Sequence, residues 1–534
     1  MPSDCIPFRD TGYFSSLICD YLDEKDDVRS FYHRFPQLNN FKAQIEEKQQ
    51  WFPKASRAVL VKALNRQYEG FNISTLTEQN IAALQQENTF TVTTGHQLNL
   101  FTGPLYFLYK IISTINLCEA LSAQYPEYNF VPIYWMATED HDFEEINFFN
   151  FKGKKFQWNR ESGGAVGEFS TEGLADVLKL FAQEAGGGTH AERSKALFEE
   201  SYLQHETLAD ATRNLANALF GEYGLVIIDG NDKELKRLFI PYVERELTEN
   251  VAFNEVSATA KQLDEVSGRS YKVQVNPREI NLFYLNEGLR ERIIQEENVF
   301  KVNNTDIQFS EEEIIQHLDK VPERFSPNVI MRPLYQEVIL PNLCYIGGGG
   351  ELAYWLELKS YFNAAAVPFP MLLLRNSALL ISEKQSEKLD KLGIPIRKLF
   401  LKRNDFINRH VRKISNIDID FTEQKKHLQE QFEAMHQLAT LTDKSFLGAV
   451  KAQEVKQLKG LAHLEQRLLK AQKRKLKDEI ARAVDLQEQV FPRENLQERV
   501  MNFSEFYLEH GDKLIPLLKE QLDPLRGDFN IIEL

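Results

Sequence analysis

Residues 89–110 read TFTVTTGHQLNLFTGPLYFLYK, and this stretch decides the fold. Thr89 to Val92 carry the β-branched and aromatic content of a strand. Gly95 is predicted to end it, with His96, Gln97 and Asn99 in a polar loop. Thr102-Gly103-Pro104 then opens a helix. Pro104 suits a first helical position, where its missing N–H would be unpaired anyway, and Thr102 can cap the amides behind it. A helix start at the carboxyl end of a strand presents bare N–H groups and a positive dipole end, which attract anions such as phosphate. An ordinary strand–turn–helix joint has the same pattern; the other polar clusters that follow apparent strands favour a site.

Leu105 to Ala123 is apolar at helical spacing, and Phe130 to Ala137 (FVPIYWMA) is a continuous apolar run of strand length. Such a run suits a strand buried on both faces of a parallel sheet, so the three segments form a βαβ unit. Directly after it come Thr138-Glu139-Asp140-His141-Asp142. Ligands of open α/β sheets collect at the carboxyl ends of strands, which places both polar clusters in one crevice. Leu225–Ile228 and Met371–Leu374 read as further buried strands. Val329–Met331 is strand-like and leads into Arg332, Gln336 and Glu337. Leu343–Ile346 then runs into Gly347-Gly348-Gly349-Gly350-Glu351 and a helix containing Tyr354 and Trp355. Four glycines let an anion approach backbone amides closely, although the run is neither a spaced GxGxxG nor a P-loop.

Around this α/β core, residues 10–88 are predicted to be mostly helical, with a break at Trp51-Phe52-Pro53. Residues 150–190, ending in Gly186-Gly187-Gly188, read as an insertion with a mobile loop. A helix is expected from Glu192 to Phe220, another up to Val266, and a small hairpin around Asn276-Pro277. From 376 to 490 the chain is polar and helical. Leu458, Leu461, Leu464, Leu468, Leu476, Ile480 and Ala483 form the stripe of one long amphipathic helix. An earlier helical run, Thr422 to Leu441, folds back on it as an antiparallel coiled-coil arm, whose expected use is homodimerisation. The division is thus 1–375 for the core, with insertions at about 150–330, 376–490 for the arm, and 491–534 for a segment returning to the core, where 529–532 can add a strand.

The chain has 534 residues, 43% hydrophobic and 26% charged, as in ordinary globular proteins. A net charge of −15 argues against a general nucleic-acid binder. No stretch reaches the ~20 apolar residues of a membrane span, and the N-terminal MPSDCIPFRDTGYF lacks the features of a secretory signal. Cys5, Cys19, Cys118 and Cys344 are scattered, with no metal-ligand cadence, so no zinc site is expected and a reducing cytoplasm suits them.

For chemistry, Glu139, Asp140, His141 and Asp142 can hold an ammonium group and supply a base, or hold Mg²⁺ through carboxylate oxygens. Acids capping a helix start would give the same composition. Arg332 suits a carboxylate held bidentately; its structural alternative is an ion pair with Glu337. Lys110, two turns into the predicted helix, is expected on the surface or behind the site. Tyr354 and Trp355 fit a core or interface as readily as a stacking platform, and Gln497 and Arg499 fit a surface helix.

TTGHQLNLFTGPLY, VPIYWMATEDHDFEE, RPLYQEVILPNLCYIGGGGELAYW and the late NLQER together resemble the BshC-type cysteine ligases of bacillithiol synthesis. The resemblance covers most of the chain. It implies a nucleotidyltransferase-like Rossmann core with connecting-peptide insertions, a coiled-coil homodimer, and a reaction joining L-cysteine to glucosaminyl-malate with ATP or ADP involved. From their chemistry and position, the expected catalytic residues for that reaction are Glu139, Asp140, His141 and Asp142. The expected binding residues are Thr94, Gly95, His96, Gln97, Thr102, Gly103, Pro104 and Tyr106, then Arg332, Gln336, Gly348, Gly349, Glu351, Tyr354 and Trp355. A nucleotide- or metabolite-binding dimer that recruits a partner through its arm is the non-enzymatic alternative.

Overall fold

The computed structural model describes residues 4–268 and 271–534. The chain divides into two compact units, 1–379 with 497–532, and 380–496 with the last two residues.

The first unit is built on strand β1 (Thr89–His96), which a short turn of 3-10 helix (Leu100–Thr102) joins to α1 (Tyr106–Gln124). Next come β2 (Asn129–Met136), β3 (Val226–Asp229) and the hairpin strands β4 (Leu282–Asn286) and β5 (Leu289–Glu296). Helix α2 (Met331–Ile339), β6 (Asn342–Gly347), α3 (Gly349–Trp355) and β7 (Met371–Leu374) complete the core. The central sheet has the order β7-β6-β1-β2-β3, and every pairing is parallel. Chain order runs one way from β1 through β2 to β3 and the other way from β6 to β7. The strand direction of travel therefore reverses beside β1, the place where open α/β sheets form a crevice.

Burial explains why these segments are strands. All of β2 after Asn129 is buried, and Phe90, Val92, Leu117, Phe130, Leu343, Ile346 and Met371 share one core cluster. β1 is unusual in burying threonines. Their hydroxyls are satisfied within the sheet: Thr91 and Thr93 donate to Asn342 Oδ1 at 3.2 and 2.9 Å, and Thr94 donates to the Ile346 carbonyl at 2.7 Å. β-Branched shape is thus kept while no hydroxyl is orphaned.

Several expectations are corrected. Gly95 does not end the strand, which continues through His96. Pro104 is not a first helical residue and Thr102 is not a cap: α1 begins at Tyr106 after Leu105, and Thr102 and Gly103 have φ of 69° and 63°. Arg332 lies on a helix, since 331–339 is α2 and not the continuation of a strand. The hairpin turns after Asn286 rather than at Asn276-Pro277. The glycine run 186–188 joins two helices, Leu174–Ala185 and Thr189–Tyr202, and the helix foreseen from Glu192 to Phe220 is divided into Thr189–Tyr202 and Leu208–Phe220. The C-terminal strand Asp528–Glu533 pairs antiparallel with Asp4–Pro7.

In the second unit, α4 (Thr422–Thr440) and α5 (Lys444–Lys475) form an antiparallel pair. Lys425 meets Glu465 at 2.6 Å and His436 meets Glu454 at 2.8 Å, while Phe432, Ala439 and Val450 fill the seam. The helix foreseen as continuous breaks at Leu476 before resuming over Lys477–Val490. No described helix is long and apolar enough to cross a membrane.

Candidate functional site

A cleft of about 560 Å³ opens at the carboxyl ends of β1 and β2, within the usual size of a small-molecule site. Gly95, His96 and Gln97 reach it from the end of β1, and Asp140, His141 and Asp142 from the loop after β2. Arg332 and Gln336 come from α2, Tyr106 and Lys110 from α1, and Glu351, Tyr354 and Trp355 from α3. The separate polar clusters of the sequence therefore meet because parallel strands deliver their following loops to one edge.

Asp140 is held by several partners at once. Burial alone would raise its pKa, yet the His141 hydrogen bond, the Arg332 charge and the Gln97 amide hold it well below the usual carboxylate range. The Gln97 amide donates to Asp140 Oδ2 at 3.1 Å, and the His141 backbone N–H donates to Oδ1 at 2.8 Å. Asp142 is pushed the other way, by partial burial and by the charge of Asp140. Two neighbouring carboxyl groups with pKa values driven apart are suited to different tasks, one a fixed charge and the other a proton acceptor. His141 sits between them, its ring 3.6 Å from Asp140 and 3.8 Å from Asp142, with Arg290 Nη1 2.5 Å from its Nδ1. Potential ligand atoms of these three residues lie within 4.8 Å of one another. Two carboxylates facing a polar cleft fit the oxygen preference of Mg²⁺, with waters completing its shell.

Arg332 shares a hydrogen bond with Tyr354, and Tyr354, Asp140 and Tyr345 keep it charged against the cost of burial. Its supposed partner Glu337 is instead fully buried against Lys48, at 2.8 Å. Lys110 is neither superficial nor remote. Its Nζ lies 2.6 Å from Glu351 Oε1 and donates to the Gly95 carbonyl at 2.6 Å. Glu351 also accepts from the Tyr345 hydroxyl at 2.7 Å and from the Gly348 N–H at 3.3 Å. Burial would raise its pKa, but Lys110 and these donors hold it below the ordinary value.

Other foreseen residues stand elsewhere. Glu139 turns from the cleft to Lys236, 2.6 Å away. Thr94 is bonded within the sheet. Thr102, Gly103 and Pro104 form a clamped corner outside the cleft: Asn502 Nδ2 donates to the Phe101 and Gly103 carbonyls, and the Leu105 N–H donates to the Met501 carbonyl. The amides that would greet an anion there are largely engaged. Gly348 and Gly349 stand beside the cleft without lining it, and a Cβ on Gly347 would come within 3.0 Å of Leu352, Tyr345 and Glu351, so packing requires that glycine. Trp355, although it borders the cleft, is 1% exposed and stacks on Tyr345, and Gln497 is buried rather than on a surface helix.

The residues not foreseen are arginines. Arg278 precedes the hairpin, and Arg290 and Arg292 on β5 face the cleft with Phe283 on β4, which lies under the Arg290 guanidinium at 3.9 Å. The i, i+2 spacing of LRER was the available signal, since it puts both arginines on one strand face.

The two halves of the chain match two domain descriptions of one family. These are the N-terminal Rossmann-like domain of bacillithiol biosynthesis BshC, over residues 1–376, and its C-terminal coiled-coil domain, over 378–534. A protein of Flavobacterium johnsoniae named "Putative cysteine ligase BshC" is 60% identical over the whole of both chains. One of the same name from Christiangramia forsetii is 61% identical over 100% of this chain and 99% of its own, and one from Flavobacterium psychrophilum is 58% identical over both in full. This chain, with its Rossmann-like parallel sheet and coiled-coil pair, belongs to the BshC family of bacillithiol biosynthesis.

Proposed function

We propose that the protein is a ligase that joins the carboxyl group of L-cysteine to the amine of glucosaminyl-malate as an amide, with ATP supplying the activation. The observation that carries this reading is that Asp140 and Arg332, of opposite charge, line one cleft at the point where strand order reverses. A zwitterionic amino acid and an anionic sugar acid both need paired charges of opposite sign at a fixed spacing. Asp140 holds the cysteine ammonium, and Arg332 takes a carboxylate in its guanidinium fork. Asp142, the more basic of the two acids, accepts the proton released as the sugar amine attacks. Arg278, Arg290 and Arg292 offer donors to phosphate or malate oxygens; in an alternative use of the same acids, Asp140 and Asp142 would instead hold Mg²⁺ alongside a nucleotide. We further assign the arm to homodimerisation and the protein to the cytoplasm.

The test is a reaction of purified protein with glucosaminyl-malate, L-cysteine, ATP and Mg²⁺, followed by mass spectrometry of thiol products. The amide product, with ATP consumed and with loss in Asp140→Asn, is expected. No thiol product and no ATP turnover, with Asp140→Asn and Arg332→Ala binding substrates like the wild type, would sink the enzyme and favour a binding protein.

A further inference from the structure

Behind His96 lies a second, much smaller void of about 10 Å³. His96 and Gln97 line both this void and the cleft, so the imidazole stands in the wall between them. Asn99, Thr102, Tyr134 and Thr212 complete its polar lining. All five residues other than Gln97 are buried, with exposures of 0–8%. Each carries a buried polar atom with no hydrogen-bond partner among the described residues: His96 Nε2, Asn99 Oδ1, Thr102 Oγ1, Tyr134 OH and Thr212 Oγ1.

Five lining residues of one void thus each carry an unpaired polar atom. Buried polar groups in native proteins are nearly always paired, and each orphan carries its full desolvation cost. A void of this size matches a single water, which typically makes about three hydrogen bonds. We propose that three or four of these five groups hold one structural water that is a permanent part of the active-site wall. The chemistry favours water over a monovalent cation. No carboxylate is among the five, and the charges acting on the His96 ring, those of Lys110 and Arg375, are both positive.

The water has a positioning task. Burial, then the Lys110 charge, keeps the His96 pKa well below its ordinary value, and the ring is hydrogen-bonded to the Thr102 backbone. A neutral imidazole offers one donor and one acceptor. The ring donates to the Thr102 carbonyl, which sets the tautomer, and the water donates to the remaining Nε2, holding the ring at the cleft wall. The water also ties the strained turn at Phe101 and Thr102, whose φ values are 48° and 69°, to β2 through Tyr134 and to helix Leu208–Phe220 through Thr212.

The deciding experiment is a crystal structure of the full-length protein at about 1.5 Å, with a second crystal soaked in rubidium chloride. One peak within ordinary hydrogen-bond distance of about three of the five atoms, without anomalous signal after the soak, is expected. Side chains rotated to pair with one another around an empty void, or an anomalous rubidium peak, would overturn the proposal. In solution, Thr212→Val and Tyr134→Phe are each expected to lower the folding equilibrium constant about fivefold to tenfold. The second substitution should cost less once the first has released the water. Strictly additive losses would contradict a shared water, and a variant that fails to fold leaves the wild-type crystal to decide.

Discussion

Lys110 Nζ lies 2.6 Å from Glu351 Oε1, and through this pair the N-terminal halves of α1 and α3 are fastened together in the wall of the cleft. Lys110 is 2% exposed, so its ammonium depends on that carboxylate and on the Gly95 carbonyl. Breaking a buried pair by removing one partner leaves an uncompensated charge, at a cost of about 3 kcal/mol. Glu351→Gln should therefore unfold at lower urea than wild type by that margin. The double variant Lys110→Met, Glu351→Gln should recover part of the loss. An unchanged urea midpoint in Glu351→Gln would mean that the pair carries no stability.

Asp140→Asn conserves shape and removes the charge that faces Arg332. Some loss of thermal stability is expected, because the contacts that hold the Asp140 pKa down also stabilise the fold, while ligase turnover should fall at least about a hundredfold if the carboxylate holds the reacting amino acid. Steady-state assays at a temperature where both proteins are fully folded separate the two effects. Near-normal turnover would remove Asp140 from the mechanism.

Glu357 links stability to pH. It is 1% exposed, and burial lifts its pKa from 4.5 to about 7 although the Gln274 and Val275 N–H groups favour the charged form. The folded chain keeps this proton through a range where the unfolded chain has lost it. Stability should therefore decline as pH rises from about 4.5 to about 7, and this group adds no slope above that. Glu357→Gln should flatten that part of the unfolding free-energy profile by up to about 3 kcal/mol, measured by denaturant titration at a series of pH values. An identical slope in the variant would show the proton is not held there.

The arm exposes apolar side chains at its turn: Leu438 is 64%, Leu441 82% and Phe446 51% exposed. On the homodimer reading, Leu438→Glu with Leu441→Glu should shift sedimentation from dimer to monomer and leave the α4–α5 pair helical by circular dichroism. A dimer that persists would place the interface elsewhere.

The alternation of buried strand and helix over 89–136 is a local pattern, and it correctly announced a parallel α/β core, because a strand buried on both faces has no polar side to show. The coiled-coil pair was equally readable, since Leu458, Leu461 and Leu464 recur at helical spacing whatever they pack against. Family membership followed from long motifs held in order. Site geometry was not local in this way. Val329–Met331 reads as a strand, yet Met331 opens a helix, Met331–Ile339, in which every residue but Arg332 is buried, an environment set by partners far along the chain. Asp140 and Glu139 are adjacent in sequence, yet one faces the cleft and the other pairs with Lys236, a partner 97 residues away. Arg290 and Arg292 reach the cleft only because β5 pairs with β4 and brings the hairpin there. Sequence by itself determined the sheet, the arm and the family, since these depend on periodicity and on which residues avoid water. Only the tertiary structure decided which acids, arginines and orphaned hydroxyls share a space, since that depends on contacts between residues far apart in the chain.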